Sequence, residues 1–190
     1  CVSGFGNTRR IVVYDTPLDQ APASEFEAVV AHELGHVSDR DVVVGTALGA
    51  LGAVAVVVLL FLVGGWLPLD RWLGISGVGD GRAIAFLLAF VAVVSFVTTP
   101  VQSAVSRQIE ARADVHALDL TEDPQAFAEM QRRLAVTSKS DVTPNRVLYR
   151  WFGTHPTAAA RLATARAWAL VHPGVQVPQP LVADPAAEGG

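Results

Sequence analysis

Two stretches of this 190-residue chain carry no charged residue, 28 residues from Val42 to Leu69 and 24 from Ala83 to Ser106. An α-helix rises about 1.5 Å per residue and a bilayer's hydrocarbon core is about 30 Å thick, so roughly 20 apolar residues cross it. Both runs are long enough. Buried core helices are the competing reading, but uncharged runs of this length are uncommon inside a soluble domain of this size. The intervening "DRWLGISGVGDGR" is short and glycine-rich, and Trp66 and Trp72 stand near its ends, where interfacial aromatic side chains sit. A transmembrane helical hairpin over about 42–69 and 83–106 is therefore expected, with Pro100 kinking or ending the second apolar helix. Composition agrees, with 51% hydrophobic residues, 17% charged and a mean hydropathy of +0.38.

The rest of the chain is short enough to make one domain with the hairpin inserted, over residues 1–175. A net charge of -4 without a dense basic run excludes the electrostatic footprint of a nucleic-acid binder. The single cysteine, Cys1, excludes an internal disulfide and a cysteine zinc cluster, so any metal must be held by histidine and carboxylate. The start lacks both a methionine and the pattern of a signal peptide, and the chain is expected to be a piece of a longer protein. "RRIVVYD" after the turn-forming "GFGNT" reads as a strand, the second arm of a short hairpin. Ser24 and Glu27 have the spacing of a capping box, which predicts a helix starting there and running through "AVVAHELGHVSDRD" (28–41).

Downstream, "SRQIEARADVHALDL" reads as an amphipathic continuation. "TEDPQAFAEMQRRLAV" reads as a helix capped by Asp123 with Pro124 at its first position. Glu129 and Arg133 have pairing distance on its solvated face. "TSKSDVTPN" is expected to be a loop, and a last helix runs over about 157–171. The Pro/Ala/Gly-rich tail, 176–190, is expected to be disordered.

His32 and His36 lie one helical turn apart on one face, so both imidazoles can reach one ion. Glu33 is one step round the helix. This H-E-x-x-H pattern is what a zinc peptidase needs, two nitrogen ligands and a carboxylate that takes a proton from water acidified by the metal. Catalytic zinc requires a third protein ligand. The metzincin extension would require glycine at position 39 and histidine at 42, where Asp39 and Val42 stand. A carboxylate from a downstream helix is the alternative, and Glu110 is the candidate, because there the chain re-emerges from the hairpin on the side that holds the histidine helix. Asp114, four residues on, can accept the outer N–H of a ligating histidine. The competing reading makes Glu110 a surface carboxylate bonded to Arg107 or Arg112.

Taken in order, "GFGNTRRIVVYDT", "HELGH", a transmembrane hairpin, "SRQIEARAD" and "THP" resemble the type I CAAX prenyl proteases, the Ste-type membrane gluzincins of peptidase family M48, over about residues 1–165. The resemblance implies a mainly α, integral membrane fold with a zincin-like core. It implies one Zn2+ per chain held by His32, His36 and Glu110, Glu33 as catalytic base, and Asp114 behind the ligands. It also implies that His155, before Pro156, and Arg161 line the active site, with His155 able to stabilise an oxyanion. From the residues alone, "THP" reads as a helix-entry turn with a solvent-facing histidine, and Arg161 as a polar-face arginine. His116 and His172 match no family position and are read as structural.

Family members carry further transmembrane helices upstream and an Asn-Ala pair before the "GFG" strand, and this chain begins where that pair would have ended. The implied substrates are peptides or proteins, either prenylated CAAX termini or membrane proteins of the kind cut by HtpX-like quality-control relatives, met beside membrane lipid. The strand edge can pair with extended substrate. Arg40, Arg107 and Arg112 flank the hairpin on the catalytic side, against Arg71 and Arg82 in its turn, which points to a cytosolic active site. A catalytically silent membrane scaffold is the competing function, and oligomeric state is not legible.

Overall fold

The structure, a computed structural model, describes residues 2–3, 10–11, 21–77, 79–141 and 143–179. It divides into two compact units, one of Cys1–Val42 with Ser103–Gly190 and one of Val43–Gln102.

The Val43–Gln102 unit is a helical hairpin. It contains most of α2 (Asp41–Trp66), the short α3 (Leu69–Leu73) and the first half of α4 (Gly81–Thr121). No residue of α2 is buried, and apolar side chains such as Leu51 and Phe61 are 66% and 79% exposed. Surfaces of this kind are stable against lipid and not against water. By length and composition α2 and α4 can each cross a membrane, since 26 residues of helix span about 39 Å. The turn is closed locally. Gly74 ends α3 in the left-handed region at φ 64°, which glycine adopts without steric cost. Its carbonyl accepts from the Arg82 guanidinium at 2.8 Å. Asp80 Oδ1 accepts from the Arg82 backbone N–H at 2.9 Å, capping the start of α4.

Pro100 does not end α4, which runs on to Thr121. The polar side chains around it bond within the helix, Thr98 and Thr99 to the Ser95 carbonyl and Gln102 to Thr98. Such bonds satisfy side-chain polar groups where no water can.

The other unit holds the chemistry. A two-residue antiparallel hairpin, β1 (Val2–Ser3) and β2 (Arg10–Ile11), pairs Val2 with Ile11 and Ser3 with Arg10. α1 (Ala23–Ser38), the outer half of α4, α5 (Pro124–Thr137) and α7 (Ala158–Val171) share one core of Ala28, Ala31, Ala117, Leu118, Phe127, Met130, Ala165 and Trp168. Half of that core is alanine, so the backbones approach closely and one phenylalanine and one tryptophan fill the centre. The closest approach is at Gly35. A Cβ there would stand 3.1 Å from Ala113 Cα and 3.2 Å from His116 Cβ, which explains the packing role of His116.

Several local expectations change. α1 begins at Ala23 behind Pro22, with no side-chain cap, so the Ser24/Glu27 capping box does not form. Burial decides this, because Glu25 turns inward and pairs with Arg133 Nε of α5 at 2.7 Å. Arg133 is thereby taken from Glu129, which binds Arg132 at 2.6 Å instead. Asp123 caps α5 as expected, its carboxylate accepting from Ala126 N–H at 2.9 Å. A further helix, α6 (Arg146–Phe152), stands after the expected loop, capped by Asn145. At the tail, Pro178 is buried, and its carbonyl and that of Gln179 accept from Arg166 and Arg132. Residues 176–179 are thus held against the core, and 180–190 lie outside the described residues.

The tight crossing at Gly35 yields a measurable expectation. Gly35→Val overpacks it and is expected to destabilise the full-length protein by about 1–3 kcal/mol, read as a lowered thermal midpoint in detergent, while Gly35→Ala is milder. An unchanged midpoint for Gly35→Val would refute the close packing.

Candidate metal centre

α1 carries the H-E-x-x-H sequence, and its helical period places His32 and His36 one turn apart on the face toward α4. Their Nε2 atoms lie 3.2 Å apart, with ring planes at 87°. α4 continues for 15 residues past Ser106 and brings Glu110 to the same point. Its carboxylate oxygens are 3.6 Å from His32 Nε2 and 3.8 Å from His36 Nε2. Among the described residues, His32, His36 and Glu110 are the group able to hold a metal ion, with ligand atoms within 4.8 Å of one another. Two donors on a tetrahedral ion at about 2.1 Å are about 3.4 Å apart. The spacing and the two-imidazole, one-carboxylate chemistry therefore fit zinc. All three side chains are only about one-seventh exposed, at 13%, 15% and 14%.

Each donor is held from behind. His36 Nδ1 donates to Asp41 Oδ2 at 2.8 Å, leaving Nε2 as the ligand atom. His32 Nδ1 is 3.0 Å from Asp114 Oδ1, an ion-pair distance without hydrogen-bond alignment. Arg161, from α7, spans two carboxylates, with Nη2 2.7 Å from Glu110 Oε2 and Nη1 3.0 Å from Asp114 Oδ1. His155 Nδ1 reaches Glu110 Oε2 at 3.1 Å while the side chain stays 63% exposed. Glu33 lies on α1 next to His32 and is half-buried. All seven residues singled out from the sequence thus lie in this one unit, and His155 is neither an idle turn residue nor remote from the ligands.

The electrostatics follow from burial and charge together. Burial pushes Glu110 up, but the His155 and His32 imidazoles beside it and the charge of Arg161 outweigh it, and the carboxyl is held well below its usual range. Burial likewise pulls His32 down, yet the Asp114 and Glu110 carboxylates prevail and raise it to about 9. In the metal-free chain a proton on His32 stands where a cation belongs.

The competing reading of Glu110 as a surface carboxylate does not hold. Glu110 is bonded by Arg161 and not by Arg107 or Arg112, because Arg112 turns to Asp41 at 3.1 Å and Arg107 to the Gly153 carbonyl at 2.5 Å. Asp41 was missed. Its signal, a carboxylate five residues past the second histidine, is weak on paper, because Asp41 reaches back only through the bend at Arg40, whose φ is 56°. His172 stacks on Trp168 at 3.8 Å and bonds its carbonyl, a structural role.

Comparison with known proteins supplies the remaining context. A sequence profile described as Peptidase family M48 matches residues 2–169. The chain is 34% identical over 167 residues to the uncharacterized metalloprotease YhfN of Bacillus subtilis, covering 86% of this chain and 39% of that protein. It is 28% identical over 160 residues to a protease HtpX homolog of Methanopyrus kandleri, covering 75% of this chain and 47% of that one. For a Nostoc protease HtpX homolog the values are 30% over 175 residues, 80% and 57%. The chain therefore spans about half the length of the curated relatives it matches. The crystal structure of S. mikatae Ste24p shares the fold, with a TM-score of 0.69 at 21% identity, over 86% of this chain and 40% of that one.

Metal loading below pH 9 must release the His32 proton. Because the proton competes with the ion, apparent zinc affinity is expected to rise by up to about tenfold per pH unit between about pH 7 and pH 9. Titration calorimetry in buffers of different ionisation enthalpy reads the released proton directly. Asp41→Ala is expected to weaken zinc binding by about 10–100-fold, and an unchanged affinity would remove Asp41 from the centre.

Proposed function

The chain belongs to peptidase family M48, and from that premise we propose that it is the catalytic part of a zinc-dependent membrane endopeptidase. The observation that carries this is the convergence of His32 Nε2, His36 Nε2 and the Glu110 carboxylate, each braced from behind by a residue of the same unit. Two helices long and apolar enough to cross a bilayer support placement in a membrane.

His32, His36 and Glu110 would hold the ion, which would supply Lewis acidity that acidifies water and polarises the scissile carbonyl. Glu33 is the general base: it takes the proton from the attacking water and passes it to the departing amine. His155, with Nδ1 at Glu110 and its side chain largely exposed, presents its ring to substrate; as an imidazolium, the form in which both ring nitrogens donate, it stabilises the negative charge that develops on the carbonyl oxygen. Arg161 is a positioning residue, since its two guanidinium contacts orient Glu110 and Asp114 and offset their charge. Extended substrate adds along the β1–β2 hairpin edge. The arginine distribution around the hairpin supports an active site on the cytosolic side.

For the substrate, the family resemblance gives prenylated CAAX termini, and membrane proteins of the kind cut by HtpX-like relatives are the second reading, the matched relatives being named metalloprotease YhfN and protease HtpX homolog. The deciding experiment measures zinc and cleavage on the same full-length samples, with a prenylated CAAX peptide and an unprenylated membrane protein as substrates. Wild type is expected to hold about one zinc per chain and to cleave. Glu33→Gln is expected to keep the metal and lose about 10²–10⁴-fold in turnover, and Glu110→Ala to lose metal and activity together. Turnover retained in Glu33→Gln would refute the mechanism, and a wild type with neither zinc nor cleavage would leave the silent scaffold standing.

A further inference from the structure

Beside the α6–α7 connection, a pocket of about 430 Å³ is lined by Arg107, Pro144, Arg146, Tyr149, Arg150 and Thr157. Three of its six lining residues are arginines and none is acidic. Arg107 is fixed in place, its Nη1 donating to the Gly153 carbonyl at 2.5 Å and its guanidinium lying 5.2 Å from the centre of the Tyr149 ring. Arg146 and Arg150 are different. They stand four residues apart on α6, both are exposed, and neither side chain has a hydrogen bond or ion pair among the described residues. Like charges at that spacing repel, and an anion held between them would relieve that repulsion.

Where the pocket stands says which anion. Arg107 is the first charged residue after the uncharged span that ends at Ser106, on the same continuous helix, which sets it at the depth of the lipid headgroups. α6 also leaves Val147, Leu148 and Phe152 exposed, at 68%, 59% and 54%. A seven-residue helix carrying two free arginines and three exposed apolar side chains suits the boundary between headgroup and acyl chain. Guanidinium groups match phosphate oxygens two by two.

We propose that Arg107, Arg146 and Arg150 form a binding site for the phosphate of an anionic membrane phospholipid, seating α6 on the membrane surface. None of the three arginines is given a part in the peptidase chemistry, and the test reads lipid and not cleavage.

Full-length protein is reconstituted in phosphatidylcholine bilayers carrying spin-labelled phosphatidylglycerol or spin-labelled phosphatidylcholine, and the motionally restricted fraction gives the relative affinity. Wild type is expected to prefer the anionic lipid, and the preference to fall with added salt. Each of Arg146→Gln and Arg150→Gln is expected to lower it about fivefold, and the double variant about 25-fold, taking about 1 kcal/mol per surface arginine. Both positions are exposed, so helical content and zinc content should stay unchanged. Equal preference in wild type and double variant, or no preference in wild type, would overturn the proposal. Displacement of the labelled lipid by inorganic phosphate would overturn the lipid assignment in favour of a free-phosphate site.

Discussion

Everything in the metal centre depends on how closely α1 can approach α4. The two histidines come from one helix and the third donor from another, and imidazole and carboxylate can share an ion only when the helices pack almost backbone to backbone. Gly35, between the two histidines, makes that possible by leaving no side chain against Ala113 and His116. The alanine-rich core continues the same logic along the interface, with Ala28 and Ala31 on α1 and Ala117 on α4. The middle of the H-E-x-x-H motif is thus a packing requirement as much as its ends are a chemical one.

A close approach of this kind concentrates charge, and the rest of the unit is arranged to balance it. Glu110, Asp114 and Asp41 are brought near two histidines in a poorly solvated region, where an unpaired carboxylate is costly. Arg161 answers two of them from α7, and Arg112 answers Asp41 from the exposed side of α4. The salt bridge from Glu25 to Arg133 then ties α1 to α5. Without a metal the cluster takes up a proton on His32, so protonation and metal loading compete for one electrostatic need.

α4 serves two solvents. Its first half is apolar on all sides, and its second half turns amphipathic, with Ala113, Asp114, Ala117 and Leu118 facing inward. Glu110 follows the end of the uncharged span by only four residues on this one helix. Polar residues such as Thr98 and Gln102 can flank Pro100, since each finds its partner within the helix itself.

Much of this was legible in the sequence. The uncharged spans, the H-E-x-x-H spacing, the Asp123–Pro124 helix start and the short N-terminal hairpin are local patterns, and local patterns follow from backbone geometry and hydropathy alone. Glu110 was reachable because the chain must return from the membrane to the side it left, while His155 and Arg161 entered only through family resemblance, since their elements are remote in sequence from the histidines. What the tertiary structure alone decided is pairing. The Ser24/Glu27 cap gave way to a buried Glu25 seeking Arg133, Arg133 left Glu129, and Asp41 reached His36 only through the bend at Arg40. The physical reason is that an ion pair is chosen by which groups lose water together, and that depends on which helices touch. Helical period and membrane length are written along the chain, whereas the partners of its charges are settled only when the core closes.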